Sequence, residues 1–246
     1  MRSQAAQGAR NSSGGLFAAI AGIVVLGFAA MFSNVGGGLH AAEKPVAVPA
    51  AGLDNPLAPG AVQTAVLAGG CFWGTQGVFE HVIGVQKVLA GYAGGSRSTA
   101  HYETVSTGTT GHAESIQVQF DPAKISYGQI LRVFFSVAHD PTQLNRQGPD
   151  TGTQYRSSIF FADPTQEKIA RAYIDQLQKA HVFSRPIVTR VDALQGFYPA
   201  EAYHQDYLVH NPHVPYIVYN DLPKVENLKR ELPEMFRESP VLTASR

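Results

Sequence analysis

Residues 64–74 read Thr-Ala-Val-Leu-Ala-Gly-Gly-Cys-Phe-Trp-Gly, and this stretch contains the local patterns from which the rest of the fold is inferred. The short apolar run at 65–68 is typical of a buried strand, and it ends at two glycines. The following segment, 71–83, places four residues at helical spacing: Phe72, Gln76, Phe79 and Val82. The stretch therefore predicts a strand, a glycine turn and a helix, with Cys71 at the junction where the helix begins.

Outward from this unit, short strands alternate irregularly with helices. Further strands are predicted at 85–92, 116–120, 158–161 and 187–191, because apolar residues cluster or alternate with polar ones there. Ser126 is predicted to cap one helix, and Asp163 followed by Pro164 is predicted to begin another. Residues 225–235 indicate a last amphipathic turn or two. This order favours an α+β fold, a two-layer sandwich on a mixed sheet with a ferredoxin-like core and a long irregular C-terminal segment. No glycine-rich nucleotide motif follows a strand.

The N-terminal end of the chain differs from its body. The first 42 residues contain two arginines, no acidic residue and an uncharged apolar run of 17 residues, Leu16–Phe32. That run is longer than the apolar part of a typical signal peptide and short for a membrane span. Residues 1–42 are therefore predicted to be an export signal or a retained membrane anchor. Either way, we expect the body to be exported to the periplasm, either soluble or tethered to the inner membrane.

The remaining chain divides into three parts by composition. Residues 43–62 are rich in proline, alanine and glycine and have few large apolar residues, which predicts a linker that acts as a tether. Residues 63–236 carry the periodic patterns and are predicted to be the catalytic domain. Residues 237–246 are predicted to be a C-terminal tail.

Charge and cysteine content exclude several classes of function. Nineteen basic residues balance nineteen acidic residues, so no basic excess indicates a nucleic-acid partner. The single cysteine excludes an intramolecular disulfide and any thiolate-rich metal site built from this chain alone. The nine histidines form no spaced pair on a predicted helix with a third ligand nearby. We therefore expect neither a metal nor another cofactor.

Cys71 is placed where a nucleophile is expected. The free amides and the positive end of a helix N-terminus favour a thiolate and lower its pKa. The two preceding glycines allow another molecule to approach the backbone closely. The alternative is a buried, unreactive cysteine, which is a common fate of free cysteines.

The sequence around Cys71, Gly-Cys-Phe-Trp-Gly at 70–74, resembles the active-site signature of the A-type peptide-methionine (S)-S-oxide reductases. Four other stretches are similar to that family in the same order: Gly-Thr-Thr-Gly-His-Ala-Glu at 108–114, His-Asp-Pro at 139–141, Gly-Thr-Gln-Tyr-Arg-Ser at 152–157 and Ala-Tyr-His-Gln-Asp-Tyr-Leu at 202–208. The resemblance extends from about residue 64 to about residue 231.

This resemblance implies a role for each site residue. Cys71 would attack the sulfur of methionine sulfoxide, and Glu114 would donate the proton that the oxygen needs. Burial among aromatic side chains would have to raise the pKa of Glu114. Phe72 and Trp73 would form an apolar slot for the methyl group of the substrate. Tyr102 and Tyr155 would bind the oxygen through their hydroxyls. Asp150 would be a supporting carboxylate and His204 a supporting imidazole.

The chain departs from the family pattern in one respect. Many members carry further cysteines near the C-terminus that resolve the oxidised nucleophile as a disulfide, whereas 211–216 and the rest of this chain contain none. Cys71 would therefore be left as a sulfenic acid and would need an external thiol. The expected partners are a thioredoxin-like or glutaredoxin-like reductant and oxidised methionine in proteins and peptides. We expect a monomer.

Two other functions are compatible with parts of the sequence. Cys71 could act with His112 or His204 as the nucleophile of a hydrolase or acyltransferase. The body could also be a binding module for oxidised surfaces in which the cysteine no longer reacts. The two enzyme readings differ in the species expected on Cys71, which is a sulfenic acid for a reductase and an acyl group for a hydrolase.

Overall fold

A six-stranded sheet organises residues 44–243, the part of the chain that the computed structural model describes. The predicted export signal or anchor at 1–42 and the last three residues of the predicted tail lie outside the described residues. The sheet strands are β1 (Gln63–Gly69), β2 (Val85–Ala93), β3 (Ala113–Phe120), β6 (Ser157–Phe161), β7 (Arg190–Ala193) and β8 (Phe197–Pro199). Two short strands, β4 (Arg146–Gln147) and β5 (Asp150–Thr151), pair separately.

The strand order confirms the predicted fold class. Across the sheet the order is β7-β6-β1-β3-β2-β8, and only β6 and β7 are parallel. The four central strands follow the β-α-β-β-α-β arrangement of a ferredoxin-like core, with β1 and β3 in the middle. Because one edge pair is parallel and the other pairs are antiparallel, the sheet is mixed, as predicted.

The helices lie between these strands and after them. They are α1 (Phe72–Glu80), α2 (Tyr102–Val105), α3 (Tyr127–Val133), α4 (Pro164–Lys179), α5 (Tyr207–His210) and α6 (Leu222–Glu231). The predicted caps are confirmed: Ser126 forms a capping box with Gln129, and Asp163 accepts hydrogen bonds from the amides of Thr165 and Gln166. No helix within residues 44–243 is long and apolar enough to cross a bilayer.

One predicted strand is displaced along the chain. The apolar run at 187–191 predicts a strand there, but β7 begins only at Arg190 and pairs with β6 from that residue. The amide of Val188 instead donates to the carbonyl of Pro141, in the loop after α3. A loop distant in sequence therefore takes the hydrogen bond that would have extended the strand, which the local pattern does not reveal.

The sheet is curled because its two edges are joined by a very short connection. Strands β7 and β8 are opposite edges, yet only residues 194–196 separate them. The chain from Ala193 to Phe197 reaches at most about 14 Å. The edges of a flat six-stranded sheet would be about 24 Å apart. The sheet must bend at this end, and Leu194 and Phe197 pack on its concave face against small and apolar residues: Val66, Ala68, Ala93, Ala113 and Phe160.

The segment before β1 packs on the helices, which differs from the predicted free tether. The amide of Val46 donates to the carbonyl of Ser136 over 2.9 Å, and Val48 is only 5% exposed. The hydroxyl of Tyr173 in α4 donates to the carbonyl of Pro49 over 2.6 Å. Most of these contacts use the backbone of the segment, so few apolar side chains are needed to hold it.

Removal of the Asp54 carboxylate is expected to destabilise the body. Asp54 accepts hydrogen bonds from the hydroxyl of Ser126 and, over 2.8 Å, from the amide of Gly128, so it fastens the segment to the first turn of α3. We expect Asp54→Ala to lower the free energy of unfolding by about 1–2 kcal/mol, measured by urea denaturation. Asp175→Ala, which removes an exposed carboxylate paired with Lys179, is the control and is expected to change it by less than about 0.5 kcal/mol. Equal effects of the two substitutions would contradict a fastening role for Asp54.

Candidate active site

Cys71 lies between the end of β1 and the first residue of α1, where it is the N-cap residue. The preceding Gly70 has φ +89°, a conformation that favours glycine. A methyl group at Gly70 would also come within 2.5 Å of the Gln147 side chain, so the turn has no room for a larger residue. Cys71 is 8% exposed, so the residue is buried at the start of the helix.

The thiol is not activated in the way that its position predicts. Burial raises the pKa of Cys71 well above its usual value, and the carboxyl groups of Glu114, Asp221 and Asp150 raise it further. The backbone amide of Trp73 opposes this shift without cancelling it. The prediction of a pKa lowered by the helix terminus is therefore wrong, because burial and three acidic groups outweigh the partial positive charge of one helix end.

Glu114 is buried directly beside the start of α1. It is 2% exposed, and its Oε2 atom accepts a hydrogen bond from the amide of Phe72 over 3.1 Å. Burial raises its pKa to about 8, with further contributions from Asp150 and Asp221, although the Phe72 amide lowers it. The predicted upward shift of the pKa is confirmed. Glu114 therefore carries a proton over most of the neutral pH range.

The two aromatic residues after Cys71 occupy different environments. Trp73 is partly exposed, stacks on Tyr207 with ring centroids 3.9 Å apart, and meets the edge of the Tyr216 ring at 5.9 Å. Phe72 is only 1% exposed and packs in the core, 5.8 Å from the ring of Tyr92. Trp73 therefore presents an aromatic surface next to Cys71 in the chain, while Phe72 packs in the core and supplies the amide that holds Glu114.

The two predicted oxygen-binding tyrosines face the same carboxyl group. Burial raises the pKa of Tyr102, and the charges of Glu114 and Cys71 raise it further. Burial likewise raises the pKa of Tyr155, followed by Glu114, Asp150 and Cys71. Both phenols keep their protons at neutral pH and can donate hydrogen bonds. Both tyrosines therefore lie near Glu114 and Cys71, although Tyr155 is distant from both in the sequence.

Asp150 lies in β5 at the border of this cluster. Its carboxylate accepts a hydrogen bond from the hydroxyl of Tyr216. Burial raises the pKa of Asp150, although the Tyr216 hydroxyl and Lys224 act in the opposite direction. The residue is therefore part of the site, where it orients Tyr216, rather than a turn residue facing solvent.

His204 supports Trp73 through a hydrogen bond and a ring contact. The indole Nε1 of Trp73 donates to Nδ1 of His204 over 3.0 Å, and the ring centroids of His204 and Tyr102 are 4.5 Å apart. Burial lowers the pKa of His204 to about 4, so the ring is neutral. Because Nδ1 accepts the indole hydrogen bond, the ring proton is on Nε2.

The geometry does not provide a base for a cysteine hydrolase. The ring nitrogens of His112 bond to the backbone of Gly95 and Ser96, at 3.2 Å and 2.9 Å. Within residues 44–243, neither His112 nor His204 forms a hydrogen bond with Cys71. His139, a third histidine of the matched stretches, bonds to Phe134 and Ser157 and is fully occupied.

Three residues of the site were not predicted from the sequence. Tyr216 contacts Trp73 and Asp150, and the buried pair Asp221 and Lys224 lies next to it, at the start of α6. In the sequence, Asp221 precedes Leu-Pro and has the pattern of an ordinary helix cap. No local signal indicates that it faces Cys71, 150 positions earlier. Among the described residues, no group of histidine, cysteine and acidic side chains could hold a metal ion.

Comparisons with known proteins agree with the geometry. The family described as "Peptide methionine sulfoxide reductase" matches residues 63–235. The chain is 60% identical over 193 residues to "Peptide methionine sulfoxide reductase MsrA 2" of Mesorhizobium japonicum, covering 78% of this chain and 98% of the relative. It is 50% identical to a protein of the same description from Synechocystis sp., covering 74% of this chain and 86% of the relative.

Two solved structures resemble the described fold. The reduced form of Mxr1 from Saccharomyces cerevisiae has a TM-score of 0.56 at 33% identity, covering 66% of this chain and 92% of that one. Methionine sulfoxide reductase A of Corynebacterium diphtheriae has a TM-score of 0.55 at 33% identity, covering 71% of this chain and 91% of that one.

Proposed function

This chain belongs to the peptide methionine sulfoxide reductase family, and we propose that it reduces the S-epimer of methionine sulfoxide in proteins and peptides through Cys71. The observation that carries this proposal is the hydrogen bond between Glu114 and the amide of Phe72, the residue after Cys71. The amide that follows the nucleophile holds a buried carboxyl group, and burial raises the pKa of that group to about 8. This contact and the raised pKa support Glu114 as the acid that donates a proton when the sulfur of Cys71 attacks the substrate.

The reaction requires both groups. The sulfur of Cys71 attacks the sulfoxide sulfur, and Glu114 protonates the sulfoxide oxygen as negative charge develops on it. The bond between the sulfoxide sulfur and its oxygen then breaks as the oxygen passes to the sulfur of Cys71, so the products are a thioether and a Cys71 sulfenic acid. The two electrons come from the cysteine sulfur, and the proton lost by the Cys71 thiol replaces the one that Glu114 donated. Tyr102 and Tyr155 would donate hydrogen bonds to the same oxygen, and Trp73 would contact the methyl group of the substrate.

The sulfenic acid tests this proposal directly. After incubation with a peptide containing methionine sulfoxide and without a reductant, we expect Cys71 to gain one oxygen, measured by mass spectrometry of its tryptic peptide. An acyl adduct on Cys71 after incubation with an ester substrate would instead support the hydrolase reading. Unmodified Cys71 together with unreduced peptide would contradict the proposal.

Regeneration of Cys71 would use an external thiol, because the chain has no second cysteine. A reductant thiol attacks the sulfenic sulfur, a mixed disulfide forms and water leaves. A second reductant thiol then releases the Cys71 thiol and a disulfide. A protein with two thiols, such as a thioredoxin-like domain, can supply both groups from one molecule. A glutaredoxin-like protein or a small thiol would pass through the same mixed disulfide.

Without any reductant, we expect at most one methionine to be formed per chain, and continued turnover only after a thiol donor is added. The measurement is the amount of reduced peptide, quantified by chromatography, with thioredoxin and its reductase, with glutaredoxin and glutathione, or with no donor. More than one equivalent of product without a donor would contradict an external thiol. Product limited to one equivalent with every donor would contradict this recycling scheme.

We also propose that residues 1–42 export the body to the periplasm. The support is the sequence pattern, two arginines followed by the apolar run Leu16–Phe32. Fractionation of cells and determination of the mature N-terminus distinguish the outcomes. A new N-terminus between residue 33 and residue 62 indicates a cleaved signal, the original N-terminus in the membrane fraction indicates an anchor, and cytoplasmic protein contradicts export.

Size-exclusion chromatography tests the expected monomer.

A further inference from the structure

A buried carboxylate that the reaction above does not use lies against the first turn of α1. Asp221 closes the one-turn π-helical segment Ile217–Asp221, just before α6, and it is fully buried. A methyl group at Gly74, the third residue of α1, would overlap Oδ1 of Asp221. The absence of a side chain at Gly74 therefore gives the carboxylate its place beside the helix that begins at Cys71.

The titratable groups around Asp221 are mostly acidic. Within residues 44–243, neither of its oxygens receives a hydrogen bond, and Nζ of Lys224 lies 3.6 Å from Oδ1. Lys224 is 6% exposed, so this is a buried ion pair. Each element packed around the pair contributes titratable groups: Cys71 from α1, Glu114 from β3, Asp150 from β5, Tyr216 from the segment before α6, and His139, which faces Lys224 from the loop after α3.

The Asp221 carboxylate opposes the effect of the helix N-terminus on the Cys71 thiolate. The first turn of a helix favours a negative charge at its N-terminus, which here would be the Cys71 thiolate. A carboxylate packed against the same turn competes with the thiolate for that favourable region. The charge of Asp221 contributes to the raised pKa of Cys71. Burial raises the pKa of Asp221 itself to about 7, and Lys224 limits that rise.

We propose that Asp221 is a positioning residue. Lys224 favours its ionised form, and from its place against the first turn of α1 the carboxylate maintains Cys71 as a thiol in the resting enzyme. Because thiolates react with electrophiles and thiols do not, this restraint protects the single cysteine between turnovers. The proposal concerns the nucleophile of the proposed reductase. Its test needs neither a sulfoxide nor a reductant, so the two proposals can fail separately.

The test is the pH dependence of Cys71 alkylation by iodoacetamide from pH 7 to pH 10, measured on the intact protein by mass spectrometry. In Asp221→Asn a negative charge beside the sulfur is removed, so the thiolate becomes easier to form. We expect the apparent pKa of Cys71 to fall by about 0.5–1 unit, which makes alkylation at pH 8 about three to ten times faster. An unchanged profile overturns the proposal.

Lys224→Gln gives the sharper test. Loss of a positive charge ordinarily raises the pKa of a nearby thiol and slows alkylation. Here it also removes the partner that keeps Asp221 ionised, so Asp221 takes up a proton and alkylation at pH 8 is expected to become faster. Slower or unchanged alkylation in Lys224→Gln overturns the proposal.

Two further variants complete the set. The double variant Asp221→Asn with Lys224→Gln removes both charges of the pair. Its profile is expected to lie between those of the wild type and of Asp221→Asn, because the positive charge of Lys224 is lost as well. It also serves as the test if a single variant does not fold, as judged by circular dichroism, and a wild-type profile of the double variant counts against the proposal. The control is Asp175→Asn, which removes an exposed carboxylate paired with Lys179 and is expected to leave the alkylation profile unchanged.

Discussion

Cys71→Ser is expected to lower reduction of a methionine sulfoxide peptide by at least about 1,000-fold, to the background of the reductant alone. A hydroxyl group is a far weaker nucleophile at neutral pH, and its oxygen cannot give up two electrons to take the sulfoxide oxygen. The side chain is nearly isosteric and only slightly exposed, so the fold should be retained. The measurement is product formation with excess thioredoxin and its reductase.

Two observations separate the loss of chemistry from the loss of structure. Thermal unfolding should show a melting temperature close to that of the wild type, and the peptide should still bind, measured by fluorescence of Trp73, the single tryptophan. Activity of Cys71→Ser above about one tenth of the wild-type rate would exclude Cys71 as the nucleophile. It would also remove the argument for an external thiol, because no sulfenic acid would then form.

Glu114→Gln is expected to lower kcat by about 100- to 10,000-fold, while the Kd for the peptide changes by less than about fivefold. The amide oxygen of glutamine can still accept the hydrogen bond from the Phe72 amide, so the start of α1 keeps its geometry. What is lost is the proton that the sulfoxide oxygen needs in the transition state. Single-turnover reduction and equilibrium binding of the peptide measure the two effects separately.

The pH dependence adds a second readout for Glu114. Since its pKa is raised to about 8, the carboxyl group donates a proton below that pH and loses this ability above it. The rate of the wild-type single turnover should therefore contain a decline with a midpoint near pH 8, and this decline should be absent in Glu114→Gln. A variant that retains both the wild-type rate at pH 7 and the decline would contradict the role of Glu114 as acid.

Glu80→Gln is a matched control for the loss of a buried carboxyl group. Glu80 is fully buried at the end of α1, and burial, with Asp206 adding to it, raises its pKa to about 9. The group is therefore neutral at pH 7, so a neutral glutamine of the same shape should have little effect on the rate. A similar loss of activity in Glu80→Gln and Glu114→Gln would indicate a general effect of buried acids on the fold.

Most of the secondary structure could be predicted because its signals are local. The strand at 65–68, the glycine turn before Cys71, the alternation at 116–120 and the cap at Ser126 each depend on residues close in the chain. Elements whose hydrogen bonds go to distant loops were predicted less well. The region 187–189 has a strand pattern but bonds partly to Pro141, and residues 46–54 have the composition of a linker but pack on helices through their backbone.

The sequence by itself predicted Cys71 as the nucleophile from its position, and the family resemblance of its motifs implied Glu114 as the acid and the surrounding aromatic residues. Only the tertiary structure decided the electrostatics of the site. It placed Asp221 and Lys224 beside the helix that begins at Cys71, and it gave the thiol a raised pKa where the local pattern predicts a lowered one. The physical reason is that secondary structure depends mainly on neighbours within a few residues, whereas the pKa of a buried group depends on burial and on every charge nearby in space.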